Sequence, residues 1–192
     1  MAAKQTREQW LDAMTKALRP KFKAAGVEIP AKVRVSCAWP SEGALARKHR
    51  RVGECWPATA SADKRVEIFI SPTEHEGVRV AGILVHELIH AARPDASHGP
   101  KFKAAMGPLG LTGKATATTE SQALKDDLAR LIKRIGKYPH SPLKLAGQRT
   151  KTQTTRLLKI ECPECGYTAR TTAKWLEVGL PTCPCGMLME TK

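Results

Sequence analysis

The most restrictive feature of the sequence is the segment Val78 to Ala92, which is apolar on almost every side. A helix that is apolar nearly all round belongs in the interior of a protein, because it has no face to offer to water. Pro94 ends the pattern, since proline cannot continue a helix. The segment therefore predicts a buried central helix. Its apolar members are Val78, Val80, Ala81, Ile83, Leu84, Val85, Leu88, Ile89, Ala91 and Ala92.

Three polar residues interrupt this helix in the order His86-Glu87-Leu88-Ile89-His90. Two histidines four residues apart lie one helical turn above each other, about 6 Å apart. Both imidazoles can therefore reach one Zn²⁺ at about 2.0–2.1 Å. Burying these side chains unpaired would cost several kcal/mol, whereas a shared metal satisfies them together. We expect a catalytic zinc on His86 and His90, with Glu87 as the general base that takes a proton from zinc-activated water.

A catalytic zinc needs a third protein ligand, and the sequence offers more than one. The metzincin pattern requires Gly and His where this chain has Arg93 and Ala96, which excludes that class. His98 is the preferred ligand, because the Gly-Pro after it lets the chain turn back towards the helix. Asp95, close to the helix end, and Glu120, which would give a thermolysin-like arrangement, remain competitors.

A second cluster consists of cysteines near the end of the sequence. Cys162 and Cys165 form a C-x-x-C-G knuckle, and after 17 intervening residues Cys183 and Cys185 form a C-x-C-G pair. Two such pairs are typical of a structural zinc site with four thiolates, although the second is one residue shorter than usual. So small a unit buries little core, so zinc should supply most of its folding free energy.

The charge of the chain favours a polyanionic partner. Lys and Arg number 32 against 18 Asp and Glu, a net charge of +14, which indicates nucleic acid before any other partner. In the Cys-bearing unit, Tyr167, Arg170, Lys174 and Trp175 combine basic and aromatic side chains suited to phosphate contact and base stacking. We expect these four residues to contact nucleic acid.

Several function classes are disfavoured by the sequence. No stretch reaches the roughly 18 uninterrupted apolar residues of a membrane span, and the first ten residues contain no apolar secretory region. A cytoplasmic location and the absence of a membrane partner follow as expectations. The six cysteines should then be thiols or metal ligands rather than disulfides. Cys37 and Cys55 are expected to be small buried hydrophobes.

Periodicity predicts the remaining elements of an α+β fold. An amphipathic helix is expected over residues 5–25, bent or split at Pro20, and strands over residues 33–37 and 66–70. A short helix over residues 101–106 and a long helix capped by Thr119, with Glu120 in its first turn and its end near Ile135, complete the first domain. The basic run 47–51 reads as a loop, in which His49 and Arg51 are candidates for stabilising an oxyanion.

The domain organisation follows from the change in composition after residue 140. Residues 1–140 are expected to form a catalytic domain, residues 141–159 a basic polar linker, and residues 160–192 a separate small unit held by cysteines.

These residues resemble the SprT/Spartan group of zinc metalloproteases. The matching parts are the H-E-x-x-H motif, the phrase His98-Gly99-Pro100-x-Phe102 and the Cys-rich zinc ribbon. The stretch from Gly53-Glu54-Cys55-Trp56 to Ser71-Pro72 looks like the small phage-type members. The resemblance implies a zincin-like fold with a small sheet packed on the motif helix, and a C-terminal ribbon. It also implies zinc on His86, His90 and His98, Glu87 as the general base, and DNA-bound proteins as substrates.

Together these observations predict a zinc endopeptidase brought to its substrates through nucleic acid. The strand Val66 to Ile70 is expected to lie along the cleft, with a free edge that holds an extended peptide by main-chain hydrogen bonds. Two other hypotheses stay open. In one, the protein is a metalloprotease whose charge serves only solubility. In the other, it is a zinc-bearing nucleic-acid or transcription-associated module that cuts nothing.

Overall fold

The chain forms a mixed α+β structure in which small sheets pack against helices. The computed structural model describes residues 5–46, 48–94, 97–145 and 156–191. These residues contain five α-helices, one short 3₁₀ helix and eight strands. The chain divides into two units, 1–145 and 146–192. The predicted linker lies partly outside the described residues, which resume at 156.

The N-terminal helix α1 spans Arg7–Ala24. Thr6 caps it: its hydroxyl accepts from the backbone N–H of Gln9, and the Gln9 side chain accepts from the backbone N–H of Thr6. Pro20 was expected to bend or split this helix. The helix is not split, because α1 runs through Pro20 without a break. A fully buried stripe holds α1 to the rest of the first unit and outweighs the cost of one proline. The stripe consists of Trp10, Leu11, Met14, Leu18 and Phe22.

The main sheet of the first unit has three strands: β1 (Val33–Cys37), β2 (Gly53–Trp56) and β3 (Val66–Ile70). The strand order is β1-β3-β2, with β3 parallel to β1 and antiparallel to β2. The predicted strands β1 and β3 are confirmed. The prediction that the strand Val66 to Ile70 has a free edge was wrong, because β3 is the central strand and is hydrogen-bonded on both sides. The edge strands are β1 and β2, and β2 was not predicted from the sequence.

Helix α2, Gly77–Ala92, confirms the predicted central helix. Its N-terminus is capped by the carboxylate of Glu76, which accepts from the backbone N–H groups of Val78 and Arg79. Ten residues of α2 are buried, and the helix contacts both β2 and β3. The core of the first unit is therefore built around the helix that carries the H-E-x-x-H motif.

The chain then forms α3 (Pro100–Met106), a hairpin of β4 (Leu111–Lys114) and β5 (Ala117–Glu120), and α4 (Gln122–Ile135). The expected helical start at Thr119 was wrong: Thr119 and Glu120 belong to β5, and Ser121 is the N-cap of α4. Thr119 pairs with Thr112 across the hairpin. The Ser121 hydroxyl accepts from the backbone N–H of Leu124.

The second unit is a small three-stranded sheet with one helix. It contains β6 (Leu157–Glu161), β7 (Thr168–Thr172), α5 (Ala173–Val178) and β8 (Glu190–Thr191), with strand order β7-β6-β8. Its core has four buried members: Ile160, Cys162, Cys183 and Met189. Among the described helices of the whole chain, none is long and apolar enough to span a membrane.

Candidate metal centres

Three histidines meet at one point on the surface of α2. His86 and His90 lie one turn apart on the helix, and His98 comes from the segment between α2 and α3. The Nε2 atom of His98 is 3.2 Å from Nε2 of His86 and 3.2 Å from Nε2 of His90. Nitrogen atoms that share a tetrahedral zinc at about 2.0–2.1 Å stand about 3.3 Å apart. The three imidazoles can therefore hold one metal ion.

Phe102 forms the floor beneath this histidine group. It is fully buried in α3, and its ring centroid lies 4.8 Å from that of His86, 4.6 Å from His90 and 5.1 Å from His98. Pro100 stands in the first turn of α3, where its fixed φ favours helix formation. The turn that carries His98 is thus anchored through α3 and Phe102 against the rings of α2.

Thr118 orients the first histidine and was not predicted from the sequence. Its hydroxyl lies 2.9 Å from Nδ1 of His86, and the residue is 7% exposed on strand β5. A hydroxyl that accepts from Nδ1–H leaves Nε2 unprotonated and directed at the metal position, as outer partners of metal-binding histidines commonly do. No local sequence signal marks Thr118, because β5 reaches α2 only through the tertiary fold.

Glu120, the competing ligand, is held away from the histidine group. Its carboxylate accepts a hydrogen bond from Nη1 of Arg79 at 2.9 Å, and its side chain is 8% exposed. It lies so close to α2 that a Cβ on Gly82 would overlap the carboxylate. Asp95, the other competitor, lies outside the described residues. Of the three candidates for a third ligand, the structure brings His98 to the group.

Glu87 lies beside the histidines as a buried carboxyl group facing the cleft. It is 6% exposed and forms no hydrogen bond with the described residues. Burial, with a further contribution from the charge of Glu54, raises its pKa to about 8, and Arg51 partly opposes this. Strand β2 comes so close to Glu87 that a Cβ on Gly53 would overlap its Oε1 atom.

Burial also keeps two of the three imidazoles, His86 and His98, neutral. It lowers the pKa of His86 to about 3, assisted by the neighbouring His90 and His98. Burial also lowers the pKa of His98, and the positive charge of Arg51 adds to the effect. His86 and His98 are therefore unprotonated at neutral pH, which is the form that binds a metal ion.

The histidine group opens into a cleft of about 1050 Å³. One wall is the edge strand β2, and His49 and Arg51, the two candidates for oxyanion stabilisation, both line the cleft. Arg51 donates to Glu54 at 2.7 Å. Cys55 also lines the cleft and packs against the core while only half-buried, and Cys37 is half-buried elsewhere, so the expectation that both are buried is met only in part.

The four cysteines of the second unit also come together. The sulfur atoms of Cys162 and Cys185 are 3.5 Å apart, and those of Cys165 and Cys183 are 3.4 Å apart, too long for disulfides. All four sulfurs lie within 4.8 Å of one another and can hold a metal ion. A hydrogen bond from the backbone N–H of Cys165 lowers the pKa of the Cys162 thiol to about 7, against the opposing effect of burial.

The two cysteine pairs sit on matching turns, which explains how the short pair is accommodated. In the first, the N–H of Gly166 donates to the carbonyl of Cys162 at 3.1 Å; in the second, the N–H of Gly186 donates to that of Cys183 at 2.8 Å. The second turn is one residue shorter. Both glycines have positive φ, +72° and +89°, a conformation that suits glycine.

The four predicted nucleic-acid contacts are all exposed on the second unit. Tyr167 is 51% and Trp175 59% exposed, and Nζ of Lys174 lies 5.2 Å from the Trp175 ring centroid. Arg170 is exposed on β7. Within the described residues no hydrogen bond, ion pair or ring contact joins Tyr167 or Arg170 to the Lys174–Trp175 pair. The structure therefore brings two of the four together.

Comparisons of this chain with models of protein families, with curated proteins and with solved structures find no match.

Proposed function

We propose that this protein is a zinc-dependent endopeptidase of SprT-like type, with a zincin-like first unit and a zinc ribbon at its C-terminus. It acts in the cytoplasm, associated with nucleic acid, on proteins bound to DNA. The observation that carries the proposal is the convergence of three imidazole nitrogens, 3.2 Å apart in two pairs, beside the buried Glu87 at the wall of an open cleft. A purely structural metal site would be closed, whereas a catalytic one keeps an open position.

The chain's own residues supply the groups that peptide hydrolysis needs. When bound, zinc supplies Lewis-acid chemistry by polarising a carbonyl and lowering the pKa of a coordinated water to about 7. His86, His90 and His98 would hold the ion. In its ionised form Glu87 would take a proton from this water and then pass it to the leaving amine, and a carboxyl pKa raised towards neutral pH suits a group that both accepts and donates the proton. Arg51, whose charge reaches His98 and Glu87, is placed to offset negative charge that develops on the carbonyl oxygen.

Strand β2 is the candidate for holding the substrate main chain. It is an edge strand of the three-stranded sheet, and residues 53–56 all line the cleft. An extended peptide can add to such an edge by backbone hydrogen bonds, which give affinity with little dependence on side chains. We therefore propose that β2, and not β3 as the sequence suggested, binds the extended substrate peptide.

Nucleic-acid association is supported by the distribution of charge along the chain. Residues 128–160 contain nine Lys and Arg and no Asp or Glu. Within this tract, Arg130, Lys133, Arg134 and Lys137 are exposed on or just after α4. By contrast, residues 156–191 of the second unit carry four cations and four anions. We propose that phosphates contact α4, while the ribbon contributes stacking through Tyr167 and Trp175.

The test of the peptidase is digestion of an unfolded protein such as casein by the zinc-loaded wild type and by Glu87→Gln. Loss of the general base should reduce kcat by about 10²- to 10⁴-fold while both zinc ions stay bound. Glu28→Gln, which changes an exposed carboxylate outside the cleft, is the matched control. Cleavage by Glu87→Gln at the wild-type rate would exclude the proposed mechanism.

Adding single-stranded DNA to the same digestion separates the alternatives. A nucleic-acid-associated protease should cleave a DNA-binding substrate faster in its presence. A protease whose charge serves only solubility should show no change. For a zinc-bearing nucleic-acid or transcription-associated module, neither protein should cleave anything, and Glu87→Gln should keep the full biological effect.

The surface that binds DNA can be found from salt dependence. Each phosphate contact contributes about 0.9 to the slope of log K against log salt on duplex DNA. Lys133→Glu/Arg134→Glu should lower this slope by about two contacts, or 1.8. Arg170→Glu/Lys174→Glu makes the same charge change on the ribbon. A larger loss of slope in the ribbon variant would place the phosphate contacts there instead.

A further inference from the structure

A second groove begins at His98, on a different side from β2, and it is basic. It has a volume of about 650 Å³ and lies between α3 and the β4–β5 hairpin. We call it the lysine groove and define it by six of its lining residues: His98, Lys103, Met106, Leu111, Lys114 and Ala115. Because His98 lines both cavities, a substrate peptide that lies in the cleft and crosses the histidine group would continue into the lysine groove.

The groove has an apolar floor and a cationic rim. Met106, Leu111 and Ala115 are buried, at 9%, 2% and 7% exposure. Lys103 and Lys114 are exposed at its edges. Lys103 and Met106 share a face of α3 because they are three residues apart. Lys114 ends β4 on the other side, so one lysine comes from each wall.

The charges of this groove differ from those of the cleft. In the cleft, Arg51 is hydrogen-bonded to Glu54 and Arg79 to Glu120, so these two cations already have a carboxylate. The third arginine of the cleft, Arg50, donates to the backbone carbonyl of Ala46, and the carboxylates of Glu42, Glu54 and Glu87 lie in the same lining. None of the described residues that line the lysine groove is acidic. Neither Lys103 nor Lys114 forms an ion pair within the described ranges. Among the described lining residues, the cleft therefore combines cations with carboxylates, whereas the lysine groove carries cations alone.

We propose that the lysine groove is a specificity subsite that selects substrates with an acidic side chain, Asp or Glu, on one side of the scissile bond. The inference rests on the proposed peptidase function and adds to it a substrate class. A carboxylate placed between Lys103 and Lys114 finds two cations from opposite walls, and the methylenes of the substrate side chain lie on the apolar floor. A basic side chain at the same position meets two like charges and is disfavoured.

The test is a set of unstructured peptides that differ at one position only. Asp, its neutral isostere Asn, and Lys are placed in turn at each of the three positions before and after the cleaved bond. At one or two adjacent positions on a single side, kcat/KM should be about two- to tenfold higher for Asp than for Asn at low salt, and lowest for Lys. The difference should shrink as salt is raised.

Charge reversal of the groove identifies the residues responsible. Lys103→Glu/Lys114→Glu should reverse the order at the same position, so that Lys is cleaved faster than Asn and Asn faster than Asp. Lys32→Glu/Lys125→Glu makes the same change of net charge at exposed lysines outside both cavities and should keep the wild-type order. Thermal unfolding of all three proteins shows whether each variant is folded.

The outcomes separate the subsite from the peptidase. Equal cleavage of Asp and Asn peptides at every position would overturn the subsite and leave the peptidase intact. A preference that survives Lys103→Glu/Lys114→Glu would overturn it as well. If that variant instead keeps the preference and loses DNA binding, the groove is a nucleic-acid site. If no peptide is cleaved by the zinc-loaded wild type, the peptidase fails and the subsite fails with it.

Discussion

Replacing Thr118 by valine should weaken metal binding at the histidine group without unfolding the protein. Valine has nearly the shape of threonine, so the 7% exposed position stays filled. What is lost is the hydroxyl 2.9 Å from Nδ1 of His86. The metal requires the Nε2 lone pair and so forces the proton onto Nδ1, where the variant offers it no acceptor.

The magnitude follows from the cost of a buried donor without a partner. That cost is about 1–3 kcal/mol, and about 1.4 kcal/mol corresponds to a factor of ten in affinity. The metal-free imidazole escapes it by moving its proton to Nε2, so the cost falls on the metal complex. We therefore expect zinc to bind the histidine group about 10- to 100-fold more weakly, with a change in the stability of the metal-free protein below about 1 kcal/mol.

Chelator competition on the full-length protein measures this. The two sites are distinguished by cobalt substitution, because thiolate-to-cobalt charge-transfer bands report only the cysteine site. Thr119→Val is the control, since Thr119 is the exposed neighbour whose hydroxyl contacts Thr112 at 3.1 Å. The reasoning is refuted if Thr118→Val holds zinc at the histidine group as tightly as the wild type, or if both sites weaken equally.

Three further predictions follow from close contacts and from the second site. Gly53→Ala should displace Glu87 and lower kcat at least tenfold, with a loss of about 1–3 kcal/mol of stability. The control is Gly107→Ala, where a Cβ meets nothing within 4 Å; it should change neither kcat nor the melting temperature. Cys165→Ser should lower bound zinc from two ions to one and remove the ordered NMR signals of residues 156–191, whereas Cys37→Ser should retain two ions. Glu54 has a pKa below its usual 4.5, because hydrogen bonds, chiefly from Ser41, outweigh the opposing effect of burial. Its ionised form therefore stabilises the fold above pH 4.5, and this stabilisation is lost as the pH falls through the pKa of the folded protein. In thermal unfolding, the stability lost in Glu54→Gln should accordingly shrink between pH 6 and 3. A loss that stays constant over that range would contradict the assigned pKa.

The parts of the fold that were predictable are those with strong local patterns. Helix α2 was predicted over residues 78–92 and observed over 77–92, because a run of apolar residues this dense has few alternatives to a buried helix. The alternation of Val66, Ile68 and Ile70 was sufficient for β3. By contrast β2, Gly53–Trp56, contains a glycine, an acid and a cysteine, and nothing in that composition signals a strand.

The errors arose where a long-range contact outweighed a local preference. Thr119 and Glu120 read as the start of a helix because threonine caps helices and an acid in the first turn is favourable. In the folded protein Thr119 pairs with Thr112, and Glu120 bonds to Arg79, which is 41 residues away in sequence. Pro20 was likewise expected to bend or split α1, and the helix is not split because the buried stripe that supports it, which depends on the tertiary fold, outweighs the local effect of proline.

The candidate sites divide in the same way. Spacing alone selected His86, His90 and the four cysteines, because one turn of helix or one tight turn already places such pairs at metal-binding distance. Whether His98 or Glu120 joins the histidines, which strand forms the open edge, and the presence of Thr118 behind His86 depended on tertiary structure. Each of these depends on contacts between separate elements. His98 lies 8 residues from His90 and 12 from His86, and Thr118 lies 32 from His86, so only the packing of α3 and the hairpin against α2 brings these groups together.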